Sequence, residues 1–294
     1  MENLTCEEKK KTVVVPPVNP TPAGSPIPGD PQQPAVPTPV PLPEEDGKDG
    51  ERSIDLALLF GTSEEELERE FKDFKAKKLF SKFDYDLIRT CDENEFEDKL
   101  KGAVEHCFGS VVVTPRRVAK AKRRLKGSGV KVVAAICFPY GEELLGVKKL
   151  SAKLAVKKGA DALFVPCGTS QIKDDKTDVI KSEFKKICKI SKKIPVFAAI
   201  ECGDLERHEI ERTASALSSV GVKGFLTSCG DRFEEAVFQS VKDVRNGARA
   251  GAVVECYTEA ETGDGIAGLL AGADRLFVKN AESVALDFRK KFAY

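Results

Sequence analysis

The stretch VKVVAAICFPYGEELLGVKKLSAKLAVKKGADALFVPC, residues 130–167, contains one complete strand–helix–strand unit. Its two ends, VKVVAAIC and ADALFVPC, are short and almost continuously apolar, which is typical of parallel strands that are covered on both faces. The segment between them, from about Gly146 onward, has the apolar spacing of an amphipathic helix. This unit predicts a parallel sheet whose strands are joined by helices.

The same pattern recurs along the chain from residue 82 onward. The candidate strands, in order, are KFDYDLI, GSVVVT, VKVVAAIC, ADALFVPC, IPVFAAIE, VKGFLTS, AGAVVEC and DRLFVK. Each is followed by an amphipathic stretch that is long enough for a helix. Eight successive units predict a closed (β/α)8 TIM barrel over residues 80–294, in the α/β class. An open doubly wound sheet is the alternative, but no glycine-rich phosphate-binding loop follows the first strand.

The first 79 residues differ from this repeating part. Twelve of the sixteen prolines lie between Pro16 and Pro43, and such a segment cannot bury enough apolar surface to fold, so residues 1–50 are predicted to be a disordered tail. Prolines at every third position from 28 to 37 would form one ridge of a polyproline II helix, a ligand for a polyproline-binding domain. A plain extended spacer is the other interpretation. Residues 51–79 are predicted to be a helical extension, because Ser63 precedes a Glu-rich first turn.

Nine cysteines, an odd number without a CxxC pair, indicate reduced thiols and a cytoplasmic protein. No apolar run is long enough for a signal peptide or a bilayer span, and no cofactor is predicted. Five thiols fall at or just beyond the predicted ends of strands three to seven, namely Cys137, Cys167, Cys202, Cys229 and Cys256. One hypothesis is a zinc or redox site that combines these thiols with Glu201 or Glu255. The other, which we favour because both histidines lie on predicted helices, is that the thiols pack as small hydrophobes.

Several segments together resemble the deoxyribose-phosphate aldolase family over residues 80–292. FDYDLI is similar to the first strand of the family, with its aspartate at Asp84, and VVVTPRRVAKAKRRL is similar to the second strand and its Pro-led helix. GSGVKVVAAICFPYG resembles the third strand with the family's Phe-Pro-x-Gly turn. KKGADALFV, AAIECGDL and VKGFLTSCG follow in the family's order and spacing.

The resemblance implies a class I aldolase, in which one lysine forms a Schiff base while an aspartate and a second lysine transfer protons. This sequence departs from that pattern at each of those positions. The Schiff-base lysine corresponds to Leu226, the aspartate to Phe164, and the second lysine to Val254, or to Glu255 if the register shifts by one residue. The phosphate-binding Gly-Gly corresponds to Tyr257-Thr258 and the paired serine region to Lys279-Asn280. The family reaction is therefore expected to be absent.

Some polar groups persist at family-like positions. Asp84 and Glu201 are expected to hold loops and strand ends together rather than to act in catalysis. Lys279 lies at a predicted strand end, where it is a candidate for binding an anion or for replacing the missing Schiff-base lysine. Tyr294 ends the chain, as an active-site tyrosine does in some members of the family, but almost no tail precedes it.

Charge is unevenly distributed along a chain whose formal net charge is zero. Residues 101–200 contain 22 Lys and Arg against 8 Asp and Glu, and most of these cations lie on three consecutive outer helices. We call this predicted surface the basic flank, and its proposed contacts are Arg116, Arg117, Lys120, Arg123, Arg124, Lys148, Lys149, Lys153, Lys185 and Lys186. Such a surface would attract an acidic macromolecule, although a solvated helix exterior is an equally weighted alternative.

Taken together, these features predict a catalytically inactive aldolase-like barrel that acts as a binding or scaffold protein. An actin filament is the favoured partner over nucleic acid, because the resemblance extends to aldolases that dock on filaments and to divergent relatives in parasitic protists. The alternatives are a working lyase that uses Lys279 or an altered substrate, and a thiol-metal or redox protein. A homo-oligomer is compatible with each of these functions.

Overall fold

The computed structural model describes residues 76–192, 194–230, 237–259 and 262–292. Within these ranges the chain forms a closed barrel of eight parallel strands in sequential order, and the last strand pairs with the first. The predicted (β/α)8 TIM barrel is therefore confirmed. The proline-rich tail, most of the 51–79 extension and Tyr294 lie outside the described residues.

The strands of the barrel are short and are separated by helices throughout. They are β1 Phe83–Asp86, β2 Ser110–Val113, β3 Lys131–Ala135, β4 Ala162–Pro166, β5 Val196–Ala199, β6 Gly224–Leu226, β7 Val253–Thr258 and β8 Arg275–Val278. The helices are α1 Ala76–Phe80, α2 Glu93–Glu105, α3 Val118–Arg124, α4 Leu145–Lys157, α5 Thr169–Lys173, α6 Thr177–Ser191, α7 Arg207–Ser218, α8 Val237–Gly247, α9 Thr262–Leu270 and α10 Ala281–Phe292. A 3-10 turn, Cys202–Asp204, precedes α7. None of the described helices is both long and apolar enough to cross a bilayer.

Apolar side chains on both faces of each strand build two separate cores, as the continuous apolar runs require. On β3, for example, Val132 and Ala134 belong to the layer between barrel and helices, whereas Val133 and Ala135 point into the barrel. This alternation follows from the two-residue period of a strand. It decides which side chains share the barrel interior, and so which can form a site.

The barrel has two openings of different chemistry. We call the end where the strands begin the amino mouth; Asp84, Ser110, Lys131 and Arg275 lie there, at or next to the first residues of their strands. The other end is the carboxyl mouth, where β1 ends at Asp86 and β8 leads into Lys279. The carboxyl mouth is where barrels of this type usually place their chemistry.

Candidate functional site

Four aromatic rings fill the barrel interior. The Phe164 ring lies 5.5 Å from that of Phe197 and 5.8 Å from that of Phe277, and the Tyr257 ring lies 5.3 Å from Phe277, all edge to face. Leu226 belongs to the same interior cluster and has no solvent exposure. Because edge-to-face rings pack tightly, they form an apolar core in the barrel interior.

The structure places two of the three predicted family positions inside the barrel and the third outside it. Leu226 and Phe164 both point inward, where neither supplies an amine or a carboxylate. The assignment of the second lysine to Val254 is corrected, because Val254 packs in the layer that faces the helices. The neighbouring inward group is the carboxyl of Glu255, which is in register with Leu226 and only 1% exposed.

The carboxyl mouth carries a small network of charged and phenolic groups. The Lys279 ammonium lies 3.0 Å from the Glu259 carboxylate, and the Tyr257 hydroxyl donates to the same carboxylate at 3.4 Å. Arg89 reaches across the mouth to donate to the Gly230 carbonyl at 2.7 Å. These contacts connect the exits of β1, β6, β7 and β8 and place cations and carboxylates around the opening.

Asp86, the last residue of β1, is the most strongly perturbed carboxyl at this mouth. Its Oδ1 accepts from the Ile88 backbone N–H at 2.8 Å. Burial raises its pKa to about 6, an increase that outweighs the opposite effects of this hydrogen bond and of the Arg89, Lys99 and Lys279 charges. A carboxyl with such a pKa can exchange protons near neutral pH.

Bulky side chains occupy the place where the family resemblance puts a phosphate-binding Gly-Gly. Tyr257 and Thr258 are both buried, and the Thr258 hydroxyl has no hydrogen-bond partner among the described residues. Gly230 has φ 74°, and a Cβ there would come within 2.6 Å of the Tyr257 ring. A glycine is therefore required opposite this tyrosine, and the space available for a phosphate is reduced.

The two carboxylates that persist at family-like positions lie at opposite mouths. At the carboxyl mouth, Glu201 accepts from the Ser228 hydroxyl at 2.6 Å and from the Cys229 backbone N–H at 2.9 Å, which links the exits of β5 and β6. Asp84 lies near the amino mouth instead. It binds the Arg275 guanidinium through two contacts of 2.6 Å and also accepts from Ser110, which links β1, β8 and β2. Asp84 is therefore remote from any chemistry at the carboxyl mouth.

Known proteins match both the sequence and the fold. Deoxyribose-phosphate aldolase 1 of Cutibacterium acnes is 29% identical over 188 residues, which cover 63% of this chain and 86% of that protein. Deoxyribose-phosphate aldolase of Acholeplasma laidlawii is 26% identical over 162 residues, 55% of this chain and 73% of that protein. The chain belongs to the deoxyribose-phosphate aldolase family. No family model matches it.

Solved structures of related barrels agree with this membership. An aldolase named QR15 superposes with a TM-score of 0.67 at 25% identity, covering 73% of this chain and 97% of that one. The tetrameric deoxyribose phosphate aldolase of Aeropyrum pernix superposes with a TM-score of 0.70 at 22% identity, covering 78% and 99%. The latter shows a shared fold.

The five strand-end thiols do not form one ring in this barrel. Cys167, Cys202 and Cys256 pack in the helix-facing layer, Cys137 lies against that layer, and Cys229 belongs to the interior cluster. Burial raises the pKa of Cys137 to about 11 and that of Cys167 to about 12, because it disfavours the charged thiolate. Among the described residues no cluster of three His, Cys, Asp or Glu side chains could hold a metal. The metal-site hypothesis is therefore not supported.

The basic flank needs one correction. Lys148 is 2% exposed and its ammonium lies 3.0 Å from Glu183, between α4 and α6. It is therefore a buried ion pair and is removed from the proposed contact surface.

Three of the proposed cations, on α3 or at its N-cap, are engaged by α2 or by its N-terminal loop. Lys120 pairs with Glu93 and with Glu97 at 2.8 Å, and Arg124 pairs with Glu97 at 2.9 Å. Arg117 donates to Thr90 and lies 4.6 Å from the centroid of the Phe96 ring. The exposed remainder of the flank is Arg116, Arg123, Lys149, Lys153, Lys185 and Lys186.

Sequence reasoning missed Asp86, Glu259 and Arg275 as functional or site-shaping residues. Asp86 could have been found, because it follows Asp84 by two residues and so shares its face at the other end of β1. Arg275 was not accessible from sequence, because its partner Asp84 is 191 residues away. Glu259 follows β7, the strand on which the second lysine of the family was placed. It lies in a loop whose path the sequence does not specify.

Proposed function

We propose that this member of the deoxyribose-phosphate aldolase family is a binding protein without aldolase activity. The proposal rests on Leu226, which occupies the position that the family resemblance gives to the Schiff-base lysine. Its side chain is alkyl and has no solvent exposure. Among the described residues, the buried charged groups include a single lysine, Lys148, and it lies outside the barrel. The described part of the barrel interior therefore offers no buried amine to form the covalent intermediate.

The surrounding groups reinforce this proposal. A Schiff base forms by attack of a neutral amine on an aldehyde, and subsequent steps need groups that deliver and remove protons. Phe164 can do neither, and Glu255 has no nitrogen. Neither a leucine nor a phenylalanine acquires such chemistry through a change of environment.

Reductive trapping tests the proposal directly. The full chain would be incubated with deoxyribose 5-phosphate and sodium borohydride, and its intact mass measured, with an active family member as the positive control. We expect no added mass on this chain and a reduced adduct on the control. An adduct on the chain, mapped by peptide sequencing, would overturn the proposal and identify the reacting lysine.

The alternative function is a lyase that uses Lys279, and one observation favours it. Lys279 directly follows β8 at the carboxyl mouth, and Asp86 is close enough for its pKa to be influenced by the Lys279 charge. However, the ammonium is held by Glu259 at 3.0 Å, and attack on an aldehyde would require breaking this ion pair. Lys279→Met distinguishes the two hypotheses. If the chain is a lyase that uses Lys279, the parent forms a reduced adduct and the variant does not. Under our proposal, neither protein gains mass from an adduct.

We propose the basic flank as the surface that binds a macromolecular partner. Beside the exposed lysines on α4 lies a row of exposed apolar side chains, Leu144, Val147, Leu150 and Leu154. A patch that combines cations with exposed aliphatic groups is typical of a protein-binding surface. Charge complementarity favours an acidic partner, and a filament of actin is the specific candidate.

Cosedimentation with filamentous actin tests this partner. Binding should weaken as salt rises to physiological strength, where the screening length is about 8 Å. Lys149→Glu/Lys153→Glu should reduce binding at least tenfold. The matched control is Lys242→Glu/Arg249→Glu, which makes the same charge change at exposed positions on and beyond α8. Actin is not the partner if the parent chain does not bind filaments, or if both double variants lose filament binding equally. Binding to nucleic acid alone would show that the acidic partner is a nucleic acid.

We also propose that the chain forms a homo-oligomer, as the Aeropyrum pernix relative does. The exposed apolar row on α4 gives such an assembly a surface to bury. Sedimentation velocity of the parent and of Leu150→Glu/Leu154→Glu tests this, because a dimer or tetramer that uses α4 should dissociate in the variant. An unchanged sedimentation coefficient in the variant would exclude α4 as the interface.

A further inference from the structure

The amino mouth encloses a cavity of about 400 Å³ that lies at the opposite end of the barrel from the carboxyl-mouth network. Asp84, Glu255 and Arg275 contribute its inner charged groups, and Lys131 and Asp161 also line it, with Lys131 exposed. Phe164, Phe197 and Val253 are among its apolar walls. This volume is within the usual range for a small-molecule site, which combines apolar walls with a few polar groups.

Glu255 is the group in this cavity whose bonding is incomplete. It is 1% exposed, and its Oε1 lies 4.0 Å from the Arg275 Nε, which is too far for a hydrogen bond. Its Oε2 has no hydrogen-bond partner among the described residues. Buried carboxylate oxygens are normally satisfied, so an unsatisfied one that lines a cavity points to a missing donor.

Arg275 does not supply that donor, because Asp84 already engages it. Its Nε and Nη2 each lie 2.6 Å from an Asp84 oxygen, and its Nη1 donates to the Ser81 carbonyl at 3.3 Å. At the rim, Asp161 is similarly engaged by Lys122 and by the Val132 backbone N–H. The buried part of the cavity therefore contains two carboxyl groups and one guanidinium.

This imbalance favours a cation as the ligand. Burial, the nearby Asp84 charge and a hydrogen bond with Asp84 raise the pKa of Glu255 well above its usual value, and the Arg275 charge only partly opposes this rise. An ammonium group against Oε2 would add a positive charge and also donate the missing hydrogen bond.

We propose that the amino mouth binds a small protonated amine with an apolar body, with its ammonium group on Glu255 Oε2 and its body against Phe164, Phe197 and Val253. This site opens at the amino mouth, at the opposite end of the barrel from the Lys279–Glu259 ion pair. Its Phe164 and Glu255 also occupy positions that the family resemblance gives to proton-transferring groups. Aromatic walls suit such a ligand, because they accept both an apolar body and a nearby positive charge.

Calorimetric titration of the full chain at pH 8 with phenethylamine tests the proposal, and phenethyl alcohol is the neutral ligand of matched shape. We expect the amine to bind at least tenfold more tightly than the alcohol. Glu255→Gln should reduce this preference to less than twofold, because it removes the negative charge and keeps the shape. The control is Asp243→Asn, which neutralises a buried carboxylate on α8 outside the cavity and should leave the preference intact.

A second variant keeps the test valid if Glu255→Gln does not fold. Ala162 lines the cavity, so Ala162→Leu should fill it and weaken binding of both ligands at least fivefold. The proposal is wrong if the parent chain does not distinguish the amine from the alcohol. It is also wrong if folded Glu255→Gln retains the full preference, or if filling the cavity leaves amine binding unchanged.

Discussion

Leu226 on β6 and Glu255 on β7 are direct register partners on adjacent strands of the barrel. Leu226 has no exposure and Glu255 is 1% exposed, so neither side chain is in contact with bulk water. These are the two places where the family resemblance, with the one-residue register shift on β7, would put the lysines of a class I aldolase. An alkyl group and a carboxyl group now lie side by side there, and each separately prevents amine chemistry.

Restoring one lysine should therefore not restore the reaction. Leu226→Lys would add an amine but not the groups that transfer protons, and it would bury a charge among aromatic rings at a cost of about 3 kcal/mol or more. We expect turnover of deoxyribose 5-phosphate to stay at background and the free energy of unfolding to fall. A coupled assay for the aldehyde products and urea denaturation provide the two measurements.

A shape-matched control separates these two effects. Leu226→Met keeps the volume and the apolar character, so it should lower stability by less than about 1.5 kcal/mol. Detectable turnover by Leu226→Lys would show that the surrounding groups are sufficient for catalysis, and that the proposed inactivity rests on Leu226 alone.

The buried Asp86 carboxyl predicts an unusual dependence of stability on pH. Its pKa is about 6 in the folded chain and 3.8 for an unperturbed aspartate, so the folded state binds the proton more tightly. The resulting stabilisation is fully present below pH 3.8 and is lost as the pH rises through 6. At pH 8 the ionised group costs about 3 kcal/mol relative to the unfolded chain.

Asp86→Asn should remove that cost while its side-chain oxygen still accepts from the Ile88 N–H. We expect the variant to be more stable than the parent at pH 8 by up to about 3 kcal/mol, and by roughly half as much at pH 5. Urea denaturation at the two pH values measures the difference. A stabilisation of equal size at both values would mean that Asp86 is not the group that titrates.

Burial also predicts which thiols react. Cys91 is exposed, whereas Cys167 and Cys202 are buried with pKa values raised by burial, to about 12 for Cys167. Because the thiolate is the reactive form, iodoacetamide at pH 7.5 should modify Cys91 at least a hundredfold faster than either buried thiol. Peptide mass spectrometry over time measures the three rates. Fast modification of Cys167 would revive the hypothesis of a reactive thiol site.

The barrel could be predicted from sequence because its strands are continuously apolar and alternate with amphipathic helices. The same property explains why the residues inside the barrel were harder to predict. In AGAVVEC both faces of the strand are buried, so the apolar pattern does not show which residues point inward. Val254 and Glu255 were therefore indistinguishable until the register with β6 was known.

The outer surface misled the prediction for a different reason. In GVKKLSAKLAVKK, Lys148, Lys149 and Lys153 were all predicted to lie on the exposed face of an outer amphipathic helix. The structure instead buries Lys148 and exposes Leu150 to 58% of its surface. The cause is Glu183, 35 residues further along the chain, whose carboxylate is held against α4 by the packing of α6. Such a long-range partner leaves no signal in the local pattern.

The ion pair between Lys148 and Glu183 gives the final prediction. Lys148→Met removes the cation and leaves a largely buried carboxylate, since the Glu183 side chain is only 13% exposed, so stability should fall by about 3 kcal/mol. Lys148→Met/Glu183→Leu should recover most of that loss, because no unpaired charge remains. Lys149→Met, at an exposed neighbouring position, is the control and should change stability by less than about 0.5 kcal/mol. Urea denaturation of the parent and of these three variants measures the differences. If Lys148→Met proves as mild as Lys149→Met, the Lys148 side chain lies at the surface and belongs again to the basic flank.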